Sequence, residues 1–336
     1  MNTNPWHLFS RTVLVLQALA CGWSAPSDNL GAVAAATPMS AVTRHLGQPL
    51  PGEMPQVFAR GTLSTAHLEH SAPAFAPDGR EVFWSIWRRP QVVGEQQVIM
   101  TMRCVDGVWT QPAVASFSGR YLDGGPVFSA DGKRLYFYSL RPRPEAGREG
   151  VSDIWFVEKK ADLWGEPVCL GLVARYPELR EISQPSVARN GTLYFIAHLP
   201  GPMNDSGIYR AAPAGGTYLT PEAMPQCINL APYLNWTPHV APDESFLLFS
   251  SNRGAPKQDY GDIYLSRRKP DGTWSDPVNL GAPINSRRQE RFPALAPDGR
   301  VFFFTRPTPG QEQDVYWVET SAIPALRIGT RADSQD

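Results

Sequence analysis

Five short stretches of this chain carry the residues with chemistry to offer. Three positions before a proline that recurs along the sequence stand His70, Asp123, Ile182, Asn235 and Glu290, with Glu181 one residue earlier in the third stretch. Imidazole, carboxylate and amide groups at one repeated position can bond sugar hydroxyls, or together offer oxygen ligands to a hard cation such as Ca²⁺. Two carboxylates a few ångströms apart would also serve a glycoside hydrolase or lyase, one as acid and the other as base or nucleophile. Asp123, Glu181 and Glu290 are the candidates for that role. Trp236, beside Asn235, lies outside the repeat and could lay its face against a ligand ring. Arg287, Arg288 and Arg291 cluster around Glu290, able either to receive an anionic group or simply to stand in solvent. The carboxylates also have a structural use, since before a strand they can cap loop amides and hold adjacent repeat units in register.

What must position these residues is a repeat. The turn residues Asp78, Asp131, Asn190, Asp243 and Asp298 recur at intervals of 53, 59, 53 and 55 residues. Four of the five are followed by Gly, the pair that supplies the left-handed backbone of a tight hairpin. Each turn is followed by an aromatic and β-branched run, at 82–86, 135–139, 193–197, 246–250 and 301–305. Each is preceded by Pro73, Pro126, Pro185, Pro238 or Pro293, tolerated where a strand begins and no ladder donor is needed. A third strand is expected at 98–102, 153–157, 207–210, 262–266 and 314–318. Aromatic-x-x-Pro marks starting at Trp109, Trp164, Tyr218 and Trp274 point to the fourth.

A period near 50 residues with four strands per unit is the signature of radial repetition. The expected fold is all-β: a five-bladed β-propeller of four-stranded antiparallel blades over residues 56–320. The last unit ends before its fourth strand, whereas 56–63 is strand-like and unassigned. That N-terminal strand is therefore expected to complete the final blade and close the ring.

The pattern resembles the PD40, or TolB-like (WD40-like), β-propeller repeat family. The resemblance is carried by the Pro-Asp-Gly turns, the Phe-Ser-Ser-Asn-Arg stretch at 249–253, Asp-Ile-Tyr at 262–264, the Trp-Ser-Asp-Pro-Val-Asn-Leu-Gly stretch at 274–281, Ile-Asn-Ser at 284–286, and Glu290-x-x-Pro293. It covers about residues 56–320 and implies a β-propeller there.

The first 25 residues read as a signal peptide: Arg11, an apolar run at 12–20, and Ala18-Leu19-Ala20 as a cleavage site followed by Cys21, a candidate for lipidation. The run is too short to span a bilayer as a stable helix. Residues 26–55, rich in Ala, Pro, Gly and Ser, read as a flexible leader, and 321–336 as a C-terminal tail. Export to the periplasm or outer membrane follows, with membrane contact only through a lipid anchor. A net charge of −1 gives no electrostatic invitation to nucleic acid. Of Cys104, Cys169 and Cys227, the last two are the candidate disulfide pair. No zinc spacing, phosphate loop, Rossmann fingerprint or nucleophile elbow occurs. The chain is accordingly expected to be a monomeric, non-enzymatic recognition scaffold, without cofactor unless Ca²⁺ sits in the channel. Its partner, a protein of the cell envelope or a glycan, would bind at a mouth formed by His70, Asp123, Glu181, Asn235, Trp236 and Glu290. The alternative is a carbohydrate-active enzyme using the mouth carboxylates.

Overall fold

The repeated turn fixes each hairpin through its own side chain. Asp78, Asp131, Asn190, Asp243 and Asp298 each accept a hydrogen bond from the backbone N–H two residues on, at 2.9–3.1 Å. Glycine takes the next, left-handed position in four copies (Gly79, φ 71°, is typical). In the fourth copy Glu244 adopts φ 59° instead, and its carboxylate reaches the neighbouring blade, accepting from Tyr194 Oη at 2.6 Å and Asn190 Nδ2 at 2.8 Å. The departure from glycine there exchanges turn comfort for an inter-blade tie.

The computed structural model describes residues 45–88, 96–143, 150–199, 206–254, 261–309 and 313–327; the expected signal segment and Cys21 lie outside them. Five antiparallel sheets form a five-bladed propeller. Blade I contains an inner strand split into Leu68–Glu69 and Ala74–Phe75, then Glu81–Arg88, Gln96–Val105 and Ala113–Val114. Blade II runs Asp123–Phe128, Arg134–Ser139, Asp153–Lys160 and Val168–Cys169, and blade III Glu181–Val187, Leu193–His198, Ser206–Ala211 and Glu222–Ala223. Blade IV runs Asn235–Val240, Phe246–Ser251, Asp262–Arg267 and Val278–Asn279. Blade V has Arg291–Leu295, Val301–Arg306 and Asp314–Glu319 from the end of the chain.

The N-terminal segment completes blade V: Gln56–Val57 pairs with Asp314–Glu319, Gln56 opposite Trp317 and Val57 opposite Tyr316. The strand is shorter than the expected 56–63, because Ala59 turns left-handed (φ 46°) and its carbonyl collects the N–H groups of Thr62, Leu63 and Ser64. The aromatic-x-x-Pro marks also need moving by one element. Their aromatics sit on short outer hairpins such as Val108–Trp109 and Leu163–Trp164, and the fourth strand begins after the proline.

Five buried clusters hold the ring, each spanning one junction between blades. Phe83 and Ile99 of blade I pack with Phe137 and Trp155 of blade II. Tyr136 and Ile154 meet Ile182 and Phe195 across the II–III junction. Tyr194 and Ile208 meet Leu247 and Phe249 across III–IV, and Leu248 and Ile263 meet Phe302 and Phe304 across IV–V. The fifth cluster closes the circle, joining Phe75 and Trp84 to Phe303 and Trp317. With each large apolar side chain contributing about 1.5–3 kcal/mol on burial, no blade is stable without its neighbours. Described residues of both expected terminal segments pack on the ring: His45, near the end of the leader, is buried, its ring edge-on to Phe75 at 5.6 Å. The start of the tail is likewise packed, with Ile323 buried against blades IV and V and Ala325 O accepting from Arg267 Nη2 at 2.7 Å.

Candidate functional site

Ladder register, rather than distance from the proline, decides which residues share a tier at the channel mouth. Glu69 faces Ile86, Asp123 faces Ser139, Ile182 faces Ala197 and Asn235 faces Ser251, each partner four residues past the one that pairs two positions after the proline (Val82, Leu135, Leu193 and Leu247). Glu290 precedes Arg291, which faces Thr305, and so belongs to the same tier. The first tier is thus Glu69, Asp123, Ile182, Asn235 and Glu290, all of them buried, and Glu181 lies one step outside it. His70, placed there by counting back from Pro73, belongs one step further in, and Glu69 was missed. The extra residue in blade I defeats a count made along the sequence.

The tier is used to clamp hairpins. Arg141 Nη2 donates to Asp123 Oδ1 at 2.7 Å, and Ser118 Oγ to Oδ2 at 2.8 Å. Arg306 Nε donates to Glu290 Oε1 at 2.8 Å, and Ser286 Oγ donates to the same oxygen at 2.5 Å. Arg253 Nη2 donates to Asn235 Oδ1 at 2.7 Å. In each case the inner-strand group begins the first strand and the arginine follows the second, so hairpin pairing brings them together. Each guanidinium also lies over aromatics of its own blade: Arg141 over Phe137 and Trp155, Arg253 over Phe249 and Tyr264, Arg306 over Phe304 and Tyr316, at 5.0–5.4 Å. Asp153 is not among these partners; it lies 3.8 Å from Arg143. Asp123 and Glu290 are completely buried, and burial pushes both carboxyls above the ordinary range against the pull of their arginines. Only Glu181 is open, its side chain 46% exposed and 4.0 Å from His198 Nε2.

A second tier lies closer to the axis, created by a bulge. In blades II to V the ladder slips just before the proline, and the residue preceding it is left-handed: Gly125 (φ 58°), Gln184 (53°), Thr237 (50°) and Phe292 (53°). Three of these are not glycine, a strain of roughly 1–3 kcal/mol each that the surrounding packing must offset. Bonds cross between blades at this level. Gly125 N–H donates to Ser85 Oγ at 3.4 Å, and Phe292 N–H to Thr237 Oγ1 at 3.3 Å.

Here the structure gathers residues from all five blades. Tyr138 Oη donates to Gln97 Oε1 at 2.9 Å, and Gln97 Nε2 lies 3.2 Å from His70 Nδ1. Gln184 adds a hydrogen bond to Tyr138. The His70 ring stands edge-on to Phe292 at 5.0 Å and to Trp87 at 5.9 Å. Arg291 sits over Phe292 at 4.9 Å and Trp236 at 5.9 Å. Its charge is felt at His70 and at Tyr138, so a blade V side chain acts on blades I, II and IV at once. Burial first, and the Arg291 charge second, hold His70 well below the usual imidazole range, hence neutral. Burial lowers Arg291 itself to about 10, which leaves it a cation at neutral pH.

The structure thus brings His70 and Trp236 to the axis and ties up Asp123, Asn235 and Glu290 within their own blades. Arg291 emerges from the basic cluster as the axial charge, while Arg287 and Arg288 stay exposed. Gln97, Tyr138 and Gln184 were missed; Gln97 falls one residue before the expected third strand at 98–102, Gln184 one before Pro185, and Tyr138 inside the run at 135–139, so nothing in the repeat marked them. Among the described residues no three His, Cys, Asp or Glu side chains gather as a metal site would need. Cys104, Cys169 and Cys227 are free thiols, so the expected Cys169 to Cys227 pair is not formed. A cavity of about 210 Å³ lies at the opposite, turn end of the ring, beside Asp78, Asp298 and His45.

No protein-family model matches the chain, and a search of curated proteins finds no match. Solved structures do resemble it. One described as a glycoside hydrolase has a TM-score of 0.50 at 11% identity over 80% of this chain and 91% of its own. A thermostable family-43 glycoside hydrolase has a TM-score of 0.50 at 11% identity, covering 76% of this chain and 90% of its own. A protein of unknown function from Dyadobacter fermentans DSM 18053 matches at a TM-score of 0.45 and 12% identity, over 81% and 85%. At 11% identity the likeness to the two glycoside hydrolases concerns the fold alone.

Proposed function

We propose that the chain is an exported recognition scaffold that binds a glycan, without hydrolysing it, at the axial tier of His70, Trp236 and Arg291. The observation that carries this is the division of labour between the two tiers. The carboxylates that bond cleavage would require are buried and clamped, Asp123 by Arg141 and Glu290 by Arg306, both within 2.8 Å. The axis instead carries an aromatic face, a guanidinium and a neutral imidazole, which are groups for holding a ligand. The glycoside hydrolases that share the fold are a reason to favour a glycan over a protein. In this reading residues 1–25 direct export to the periplasm or outer membrane, Cys21 serves as a lipid anchor, and the protein acts as a monomer without cofactor.

The second reading, a glycoside hydrolase or lyase, draws on the same shared fold and on Glu181, the one nominated carboxylate that reaches solvent. Calorimetry of the mature protein against an oligosaccharide panel, with mass spectrometry of the recovered sugars, separates the two. Binding without shortening, weakened at least tenfold by Trp236→Ala, supports the scaffold. Shortened products that vanish with Glu181→Gln would hand the site to the enzyme reading, and a panel that does not bind at all would remove both.

A further inference from the structure

Three inner arginines of this ring are satisfied. Arg141, Arg253 and Arg306 each bond a first-tier side chain and a backbone carbonyl. Arg291 differs from them in every respect that matters to charge. Its Nε is buried with no hydrogen-bond partner, and among the described residues no carboxylate lies within ion-pair distance. Glu290, its neighbour in sequence, and Asp123 of the same tier as Glu290 are already committed to Arg306 and Arg141. What surrounds it is neutral: the His70 imidazole, the Tyr138 phenol, and the rings of Trp236 and Phe292. A cation held in such surroundings without an anion is costly, and buried charges in folded proteins are paired.

Resting on the glycan reading above, we propose that the ligand is an acidic oligosaccharide, and that the carboxylate of one uronic acid residue pairs with Arg291 at the axis. The guanidinium offers a planar fork of N–H donors that matches a carboxylate in two parallel hydrogen bonds. The Trp236 ring beside it supplies a face for the C–H surface of the same sugar. Arg291 is part-exposed, so the head group that lacks an anion is reachable from the channel. A neutral sugar would leave the charge unmatched; a uronate neutralises it and is oriented by it.

The experiment is calorimetric titration with an oligogalacturonate, its methyl ester, a sulfated oligosaccharide, a neutral oligosaccharide and an acidic peptide. The expected result is binding of the oligogalacturonate at least tenfold tighter than of its ester or the neutral sugar, with that preference abolished in Arg291→Gln and largely kept in Arg291→Lys. Equal binding of acid and ester, or unchanged uronate affinity in Arg291→Gln, overturns the assignment of the carboxylate while leaving a glycan site standing. Preference for the sulfated sugar or for the peptide overturns it too. Failure of every sugar, charged and neutral, defeats the glycan reading itself. Melting curves guard against misfolding. Removing a part-exposed cation that no described carboxylate pairs should leave the ligand-free Arg291→Gln protein as stable as the wild type or more so. A melting temperature several degrees lower would make Arg291 a structural residue and end the proposal.

Discussion

Glu69 shows how one residue can report on its tier. Thr65 donates to its Oε1 through both N–H, at 2.9 Å, and Oγ1, at 3.0 Å, much as Ser286 holds Glu290, but among the described residues no arginine clamps it. Its Oε2 is buried without a partner. Burial above all, with the nearby Asp314 charge adding to it, raises the carboxyl to about 8. A folded-state value above the unfolded one means the folded protein holds a proton that the unfolded chain has released. Stability from this site is therefore full below about pH 4.5 and declines as pH rises through 8. Glu69→Gln, which keeps the neutral form, should match the wild type near pH 5 and exceed it by up to a few kcal/mol at pH 9, read by urea melts at both pH values. Burial raises Asp123 as well, but its carboxylate is paired with Arg141. Arg141→Ala should cost about 3–5 kcal/mol by stranding a buried carboxylate, whereas a purely ligand-binding arginine would leave the urea midpoint unchanged.

At the scale of the element, the bulged inner strand is what brings side chains of neighbouring blades together beside the axis. Its slip before each proline brings Gly124 and Gly125 against Tyr138 and Gln97. A Cβ at Gly124 would stand 2.2 Å from Gln97 Nε2 and 2.6 Å from Tyr138 Oη, and both of those atoms belong to the buried relay that orients His70. Gly124→Ala should therefore push the relay apart. The expected outcome is destabilisation of about 1–3 kcal/mol, the usual cost of overpacking, together with displaced His70 ring resonances in NMR spectra. An unshifted imidazole would mean that the relay has room to yield. Glu244 makes the complementary point, as an αL residue retained for the bonds that its carboxylate makes to blade III.

For the whole molecule the decisive contact is closure. Phe58 follows the short closing strand, bonds Val315 O through its N–H at 2.8 Å, and is fully buried. Its ring meets Trp317 at 4.8 Å and Phe303 at 5.1 Å in blade V, and Phe75 at 6.2 Å in blade I. Phe58→Ala should cost about 3–5 kcal/mol, a figure set by cavity formation. Because the ring is closed by this junction, the loss should appear as a lower urea midpoint for the entire propeller, reported alike by tryptophan fluorescence and far-UV dichroism. Separate transitions by the two probes would show blades melting independently.

The sequence alone determined the repeat, the five blades, their order and the return of residues near 56 to the last blade. Those features arise from local chemistry copied every 53–59 residues: turn residues that fix hairpins, and apolar runs that can be buried only against a neighbour. It also pointed to the neighbourhood of Trp236 and Glu290. Which side chains would be free was decided in three dimensions. Asp123 and Arg141 are 18 residues apart and Glu290 and Arg306 are 16, so each acid met its clamp only when its hairpin formed. His70 and Glu69 exchanged tiers because register is set by ladder pairing and bulges, not by counting from a proline. The axial group of His70, Gln97, Tyr138, Trp236 and Arg291 draws on four blades and more than 200 residues of chain. Nothing in any one repeat could announce it, because these residues become neighbours only where the closed ring brings its inner strands around a common axis.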